Sequence, residues 1–408
     1  MGLPSRSSAL ARLASERFDL LVVGGGITGC CIARDAARRG LSVALVERHD
    51  FSSGTSAATS RLIHGGLRYL KNLEVGVVRE SLRERRVWGA IAANAVAPTP
   101  FLLPTMGTLN GAWMRLALAA YDALSWDRNR GVAPGARIPR SRRLGREAVL
   151  QRAPVLERPD VTAGLVYNDT ISESPERLAI ACLADATAHG AVCINYMSAT
   201  SRTAAGSVAL VDGHSGTTLH VTPQVTIIAA GPWTDLVATQ LGAPKPPKVL
   251  RSKGIHLITR PLTEGVALLV PVDGRHFFVI PWHGRSLIGT TDAPFRGDPD
   301  AVGVSEEDIA EFLRVINTGL PRAGLTRADV TWAYAGLRPL AAADGNTYAA
   351  SRRSELTALD ARMFSVIGGK WTTSRAVAAQ CVDRVGRLLG RDLPPCTTAS
   401  APLPWGPA

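Results

Sequence analysis

The sequence is poor in several things that would point to particular functions. It has six cysteines in 408 residues, at positions 30, 31, 182, 193, 381 and 396, and none of them forms a CxxC pair. That spacing excludes a zinc ribbon, a dithiol redox motif and a disulfide framework, and it leaves free thiols in a reducing compartment. No internal repeat or low-complexity linker is present. No stretch reaches the roughly 18 uninterrupted apolar residues that a spanning helix requires. The longest candidates, Trp88–Met106 and Ala112–Leu124, are broken by Asn94, Pro98, Pro100, Pro104, Arg115 and Asp122. Lysine is nearly missing: Lys71, Lys245, Lys248, Lys253 and Lys370 stand against 41 arginines. The first 17 residues lack the apolar run and cleavage site of a secretory leader. Their composition also fits a transit peptide, but with a strand beginning at Phe18 they read as a short frayed arm.

What is present describes a folded chain. Hydrophobic residues make up 46% and charged residues 20%, enough to bury a large core over two or three domains' worth of chain. The net charge is +12, from 46 basic against 34 acidic residues. A basic balance fits nucleic acid, an anionic membrane or an acidic substrate. No zinc-finger, helix-turn-helix or RNA-recognition signature accompanies it, so nucleic acid is not the expected partner. No metal-ligand spacing occurs either.

The chemistry starts at Phe18-Asp19-Leu20-Leu21-Val22-Val23, an apolar run suited to one buried parallel strand. It enters Gly24-Gly25-Gly26-Ile27-Thr28-Gly29, then a helix over Cys30–Arg39 that stops at Gly40. A second strand, Leu41–Val46, carries Glu47 at its tip. Strand, glycines, helix, strand and acid together are a dinucleotide fingerprint. Gly24 permits the turn, Gly26 lets backbone approach a pyrophosphate and Gly29 lets the helix pack close to the strand. Free N–H groups at the helix start meet phosphate charge, and Glu47 suits ribose hydroxyls. At this point NAD and FAD both remain open.

The next segment favours a flavin. Ser52 to Leu70 is a small, hydroxyl-rich stretch where an NAD domain would continue with a helix and a third strand. Short hydroxyl side chains suit a chain lying along a ribityl-pyrophosphate. Val225–Trp233 reads as a buried strand breaking into a turn at Gly231. Phe364–Thr373 reads as a strand, a glycine pair and a new helix start, which would favour negative charge on a reduced flavin.

These residues resemble the flavin-dependent glycerol-3-phosphate dehydrogenases, within the superfamily of the D-amino-acid and glycine oxidases. The resemblance covers about Phe18 to Arg387. It is carried by Leu62-Ile63-His64-Gly65-Gly66-Leu67-Arg68-Tyr69-Leu70, Ile288-Gly289-Thr290-Thr291-Asp292, Gly336-Leu337-Arg338-Pro339-Leu340 and Gly368-Gly369-Lys370-Trp371-Thr372-Thr373. Ile280-Pro281-Trp282 and Lys253-Gly254-Ile255-His256 add support. It implies FAD held by Gly24, Gly26, Ile27, Thr28 and Gly29, by Glu47 and Arg48, and by Thr55, Ser56, Ser60, Arg61, Leu62 and His64. Gly231, Gly368, Gly369, Lys370, Trp371 and Thr372 complete that set.

It also implies glycerol 3-phosphate over the flavin, contacted by Arg68, Tyr69, His256, Thr290, Thr291, Arg338, Arg352 and Lys370. The physical reading agrees, because a phosphomonoester carries close to two negative charges and needs several cations, whereas a carboxylate needs one arginine. The expected reaction passes the C2 hydride to flavin N5, giving dihydroxyacetone phosphate. His64 is the first choice of base and His256 the second, with Arg338 and Lys370 stabilising the developing alkoxide. An FAD-dependent oxidase or dehydrogenase of an amine, an amino acid or another hydroxy acid is the alternative.

A membrane quinone is the expected acceptor, because the inserted segment of oxygen-using relatives has no counterpart here. Phe101–Met106 and Trp113–Tyr121 are apolar and precede seven arginines between Arg128 and Arg146. That combination suits peripheral contact with anionic lipid, on the cytoplasmic side of the membrane.

The expected architecture is α/β. A doubly wound, glutathione-reductase-type FAD domain (residues 18–86, 148–235 and 337–389) is interleaved with an antiparallel-sheet substrate domain (87–147 and 236–336), and 390–408 form a tail. Pro244–Lys248 marks one crossing, and a hairpin turns at His283-Gly284-Arg285. Two departures from the family pattern stand out. Members commonly continue into a C-terminal helical domain, whereas this chain stops at a Pro-rich tail. Asn168–Leu178 replaces a more acidic stretch, although Ser174-Pro175 still makes a helix start.

Overall fold

Short apolar runs with no charged residue fold stably only where both faces are covered, and four such runs form the middle of one sheet. The computed structural model describes residues 4–341 and 354–404. The strands β1 (Leu20–Val23), β2 (Val43–Val46), β7 (Val192–Ile194), β11 (Val225–Ile228) and β19 (Met363–Ile367) are parallel, with β18 (Glu355–Ala358) antiparallel at one edge. Their order is β18-β19-β11-β1-β2-β7. The order reverses between β1 and β11, the crevice where open α/β sheets bind ligands.

Alternate residues of each strand feed two cores. Leu20 and Val22 meet α2 (Ile27–Arg38), α6 (Pro175–Ala188) and α9 (Ser374–Leu388). Leu21 and Val23 meet α1 (Arg6–Ser15), α7 (Thr234–Gln240) and a small sheet of β8 (Met197–Arg202), β9 (Val208–Asp212) and β10 (Thr218–Val221). The helix α1 corrects the expectation of a frayed arm. Ser5 caps it by accepting the Ser8 N–H, Ala9 and Leu13 share one buried face, and Arg6 pairs with Asp212. Pro175 opens α6 as expected, but the Ser174 hydroxyl bonds Glu176 instead of capping the helix.

The second sheet is larger and mostly antiparallel. It comprises β3 (Leu62–Ile63), β4 (Ala97–Met106), β5 (Arg142–Gly145), β6 (Val161–Ile171), β12 (Val249–Thr259), β13 (Ala267–Val272), β14 (Arg275–Trp282), β15 (Arg285–Gly289), β16 (Ala293–Phe295) and β17 (Val330–Ala341). One face packs on α5 (Arg146–Arg152) and α8 (Glu306–Gly319), the other on α3 (Val75–Ile91) and α4 (Thr108–Leu124). The β14–β15 hairpin turns on two residues, His283 and Gly284, both at positive φ, with Arg285 already paired to Trp282.

Three expectations change here. The strand β6 pairs with β4 from Ala97↔Ile171 to Met106↔Val161, so residues 161–171 lie in the large sheet although they were expected in the flavin segment 148–235. Likewise β17 stays paired to β12 through Ala341, past the boundary expected at 337. Phe101 to Thr105, expected at a lipid face, are buried because β4 lies between β6 and β13. Of the residues expected at that face, Trp113 and Leu116 of α4 stay exposed.

Candidate active site

The glycine turn is built by close approach. A Cβ on Gly24 would lie 2.6 Å from the Ala229 carbonyl oxygen across the β1–β11 crevice, and one on Gly29 would lie 1.9 Å from the Gly24 oxygen. At Gly26, by contrast, the nearest atom is the Ser56 hydroxyl at 3.3 Å, and no side chain of Gly26 caps α2. The N-terminus of α2 therefore opens onto the crevice, as an anionic pyrophosphate requires. The Glu47 carboxylate is fixed by accepting the Gly25 N–H at 2.7 Å and the His49 N–H at 2.8 Å. Its remaining lone pairs are free to take ribose hydroxyls. Ile27 donates its N–H to Ser56 Oγ at 2.9 Å, and Thr28 is half-buried beside it. These features fit the FAD that the sequence implies.

From Ser56 the hydroxyl loop runs toward the large sheet and is fastened there. Thr55 Oγ1 donates to the Leu337 oxygen at 2.6 Å, and Tyr334 Oη donates to the Thr59 oxygen at 2.7 Å. Ser60 Oγ bonds His256 Nε2 at 2.8 Å. The His256 ring stacks on Tyr334 with centroids 4.8 Å apart, and a Cβ on Gly289 would lie 2.0 Å from it. Its Nδ1 is buried without a partner among the described residues. Burial, helped by Arg338 and Arg61, pushes its pKa down to about 3, so the ring is neutral.

A cavity of about 1230 Å³ opens beyond this loop. It is lined by Thr55, Ser60, Leu62, His64, Arg68, Tyr69, His256, Thr290, Thr291, Arg338, Gly369, Lys370, Trp371 and Thr372. Arg338 enters from β17, where it pairs in register with Ser252 of β12. Its guanidinium donates to Thr290 Oγ1 at 2.8 Å, the Thr291 oxygen at 3.1 Å and Ser252 Oγ at 3.3 Å, with Asp292 at 3.9 Å. It sits against Gly254, where a Cβ would come within 2.4 Å of it.

Lys370 enters the same cavity from the end of β19. Gly368 and Gly369 at φ 78° and 84° turn the chain after β19. Lys370 Nζ then donates to Ser81 Oγ at 2.9 Å and sits 3.8 Å from the Tyr69 ring centroid. Arg68 lies over the same ring at 4.7 Å and donates to Tyr69 Oη. Burial first, and then the Arg68 charge, bring Lys370 down to about 7. His64 is half-buried in the cavity wall, its backbone N–H donated to Thr372 Oγ1 at 3.2 Å. Burial, then Lys370 and Arg68, hold it well below the ordinary histidine value, so it is a neutral imidazole at pH 7.

Arg61, Arg48 and Gly231, expected to hold the cofactor, lie outside the lining of that cavity. Arg61 does not line the cavity; its guanidinium faces Glu173, Glu176 and the Trp282 ring. Arg48 is held by Asp300 over the Trp233 ring. Gly231, at φ 55°, begins the turn into α7. Arg352 lies outside the described residues. Sequence reasoning missed Ser81, Ser252 and Asp292, which hold the two cations. The available signal was α3 itself, where Ser81, Glu84 and Arg85 interrupt the apolar face carrying Val77, Val78 and Trp88, and all six are buried.

Comparison with known proteins gives a consistent result. A family model described as FAD dependent oxidoreductase matches residues 19–381. A glycerol-3-phosphate dehydrogenase of Synechocystis sp. is 36% identical over 97% of this chain and 75% of its own length. Glycerol-3-phosphate dehydrogenase 2 of Mycobacterium tuberculosis is 34% identical over 99% of this chain and 69% of its own length. The crystal structure of glycerol-3-phosphate dehydrogenase from Bacillus halodurans complexed with FAD superposes with a TM-score of 0.78 at 29% identity, covering 99% of this chain and 71% of that one.

Proposed function

The chain belongs to the FAD-dependent oxidoreductase family, and we propose that it oxidises glycerol 3-phosphate to dihydroxyacetone phosphate. The observation that carries this reading is the convergence of Arg338, Arg68 and Lys370 on one cavity that the hydroxyl loop also reaches. Three cations match the charge of a phosphomonoester, and Arg338 is held in position by Thr290, Ser252 and Asp292 before any ligand arrives.

FAD, held by the glycine turn, Glu47, the 55–60 loop and the Gly368-Gly369 turn, would supply the two-electron acceptor for the C2 hydride. The protein's own groups bind the phosphate, exclude water and manage the C2 hydroxyl proton. A neutral His64 offers an imidazole lone pair for that proton, and its low basicity rises as the phosphate neutralises Lys370 and Arg68 beside it. His256 is a less suitable base, since its Nε2 is committed to Ser60. Arg338 and Lys370 stabilise the oxygen as it becomes anionic. Anaerobic titration of the flavin-loaded protein tests the reading. Glycerol 3-phosphate is expected to bleach the flavin bands, and bleaching by glycine or D-alanine in its place overturns the assignment. His64→Asn is expected to slow that bleaching by about tenfold or more with substrate binding retained.

We assign the electrons to a quinone reached at a membrane surface. No described helix is long and apolar enough to cross a membrane. The support is instead a set of exposed apolar side chains on and near α4, followed by a basic segment. Trp113 and Leu116 of α4 are 65% and 62% exposed, and Trp126 and Leu73 are 70% and 82% exposed. Arg130, Arg137, Arg140, Arg142, Arg143 and Arg146 are exposed in the segment after α4. This points to the cytoplasmic leaflet, where anionic lipid concentrates. Cosedimentation with phosphatidylglycerol vesicles at low salt, lost at high salt, is expected; a protein left in the supernatant at low salt excludes docking.

A further inference from the structure

We infer that Asp169, held by Arg85, is a positioning residue that sets the His64-Gly65-Gly66 loop against Lys370. Asp169 on β6 and Arg85 on α3 are 3% and 2% exposed. Asp169 Oδ1 takes a hydrogen bond from Arg85 Nη1 at 2.6 Å, from Tyr121 Oη at 3.2 Å and from the Gly65 backbone N–H at 2.9 Å. Arg85 also donates to the Asn168 oxygen at 3.0 Å, so the carboxylate cannot swing away from its strand. The loop crosses this group at the closest distance a backbone allows: a Cβ on Gly65 would lie 2.1 Å from Tyr121 Oη and 2.3 Å from Leu82. One residue earlier stands His64. One residue later, a Cβ on Gly66 would lie 3.4 Å from Lys370 Nζ.

Stability alone does not account for this pair. Removing two charges from water costs several kcal/mol per ion, and apolar residues of the same volume often serve as well or better. What an apolar pair lacks is an acceptor for the Gly65 N–H. The Asp169–Arg85 pair therefore fixes a piece of backbone that has reactive groups on either side, and an error there of about an ångström is costly to rate.

The inference rests on the proposed oxidation for its kinetic readout, and it has a second readout that needs no substrate. In Asp169→Leu, which keeps the volume but removes the acceptor for the Gly65 N–H, hydrogen–deuterium exchange of residues 62–68 is expected to accelerate by about tenfold or more while α2 is unchanged. Anaerobic flavin reduction by glycerol 3-phosphate, expressed per bound flavin, is expected to slow by about tenfold or more, with half-saturation changed by less than about threefold. Adding Arg85→Met removes the uncompensated buried charge but returns no acceptor to the Gly65 N–H, so the rate is expected to stay at least about fivefold below the parent. Unchanged exchange, a rate per flavin within about threefold of the parent, or full recovery in the double variant overturns the proposal. If Asp169→Leu fails to retain flavin, exchange in Arg85→Lys decides, and protection equal to the parent's rejects the role. A parent protein that glycerol 3-phosphate does not reduce would refute the substrate and leave the exchange measurement standing.

Discussion

The two sheets hold their chemistry in opposite ways. In the parallel sheet the working atoms are backbone, gathered at one turn and the neighbouring strand end and needing only space: Gly24 against Ala229, Gly29 against Gly24, Gly26 left open. Around the large sheet they are side chains, each held by partners distant in sequence: Arg338 by Ser252 and Thr290, His256 by Ser60, and Lys370, reaching over from the end of β19, by Ser81 of α3. A cradle of backbone tolerates no added atom but is indifferent to most side-chain changes. A cage of side chains tolerates partial loss, one hydrogen bond at a time. Substitutions should therefore fail all at once in the first region and by degrees in the second.

The strongest break in that comparison is Gly29→Ala. With a methyl 1.9 Å from a carbonyl oxygen, either α2 or β1 must move, and the variant is expected to purify with no bound flavin by its visible absorbance. Next is Arg338→Met, which leaves the parallel sheet untouched. Flavin content should stay normal while kcat/KM for glycerol 3-phosphate falls by roughly 10²–10³-fold, since a developing alkoxide loses its principal cation.

Lys370→Met sharpens the contrast through pH. Lysine ordinarily titrates at 10.5, and folding lowers Lys370 to about 7. Between those values the unfolded chain binds a proton that the folded protein does not. Stability is therefore lost as pH falls from the ordinary value toward about 7, and the full penalty persists below it. The flavin-free methionine variant should melt above the parent at neutral pH, the difference shrinking as pH rises toward the ordinary lysine value, in calorimetric scans. In the parent, affinity for glycerol 3-phosphate should weaken as pH rises through about 7, because the ammonium is lost. The mildest change is Ser81→Ala. The Ser81 hydroxyl donates to the Val77 oxygen at 2.7 Å and so can only accept from Lys370. Losing that bond should reduce kcat/KM by about fivefold, near 1 kcal/mol.

The same contrast explains what could be read without coordinates. The strand–glycine–helix–strand entrance was legible because its determinants are adjacent, and Arg338 and Lys370 stood out because they lie inside short motifs. The supports of those cations were not legible. Ser81 is one serine in a helix until Gly369 turns Lys370 toward it. Residues 161–171 are an apolar run that fits either sheet, and only pairing with β4 decides. Phe101 to Thr105 made the same error in reverse, since an apolar strand destined for the middle of a sheet looks like one destined for lipid. For α1, the alternation of Ser, Arg and Ala hid a two-residue contact, Ala9 and Leu13, that suffices to seat it.

The stitching of the hydroxyl loop onto β12 and β17 by Thr55, Tyr334 and Ser60 has a kinetic corollary. Anything seated between that strap and the glycine turn is enclosed by contacts belonging to both halves of the molecule. Its departure must wait for the seam to unzip, so the residence time of the prosthetic group becomes a clock for how long the two halves stay joined.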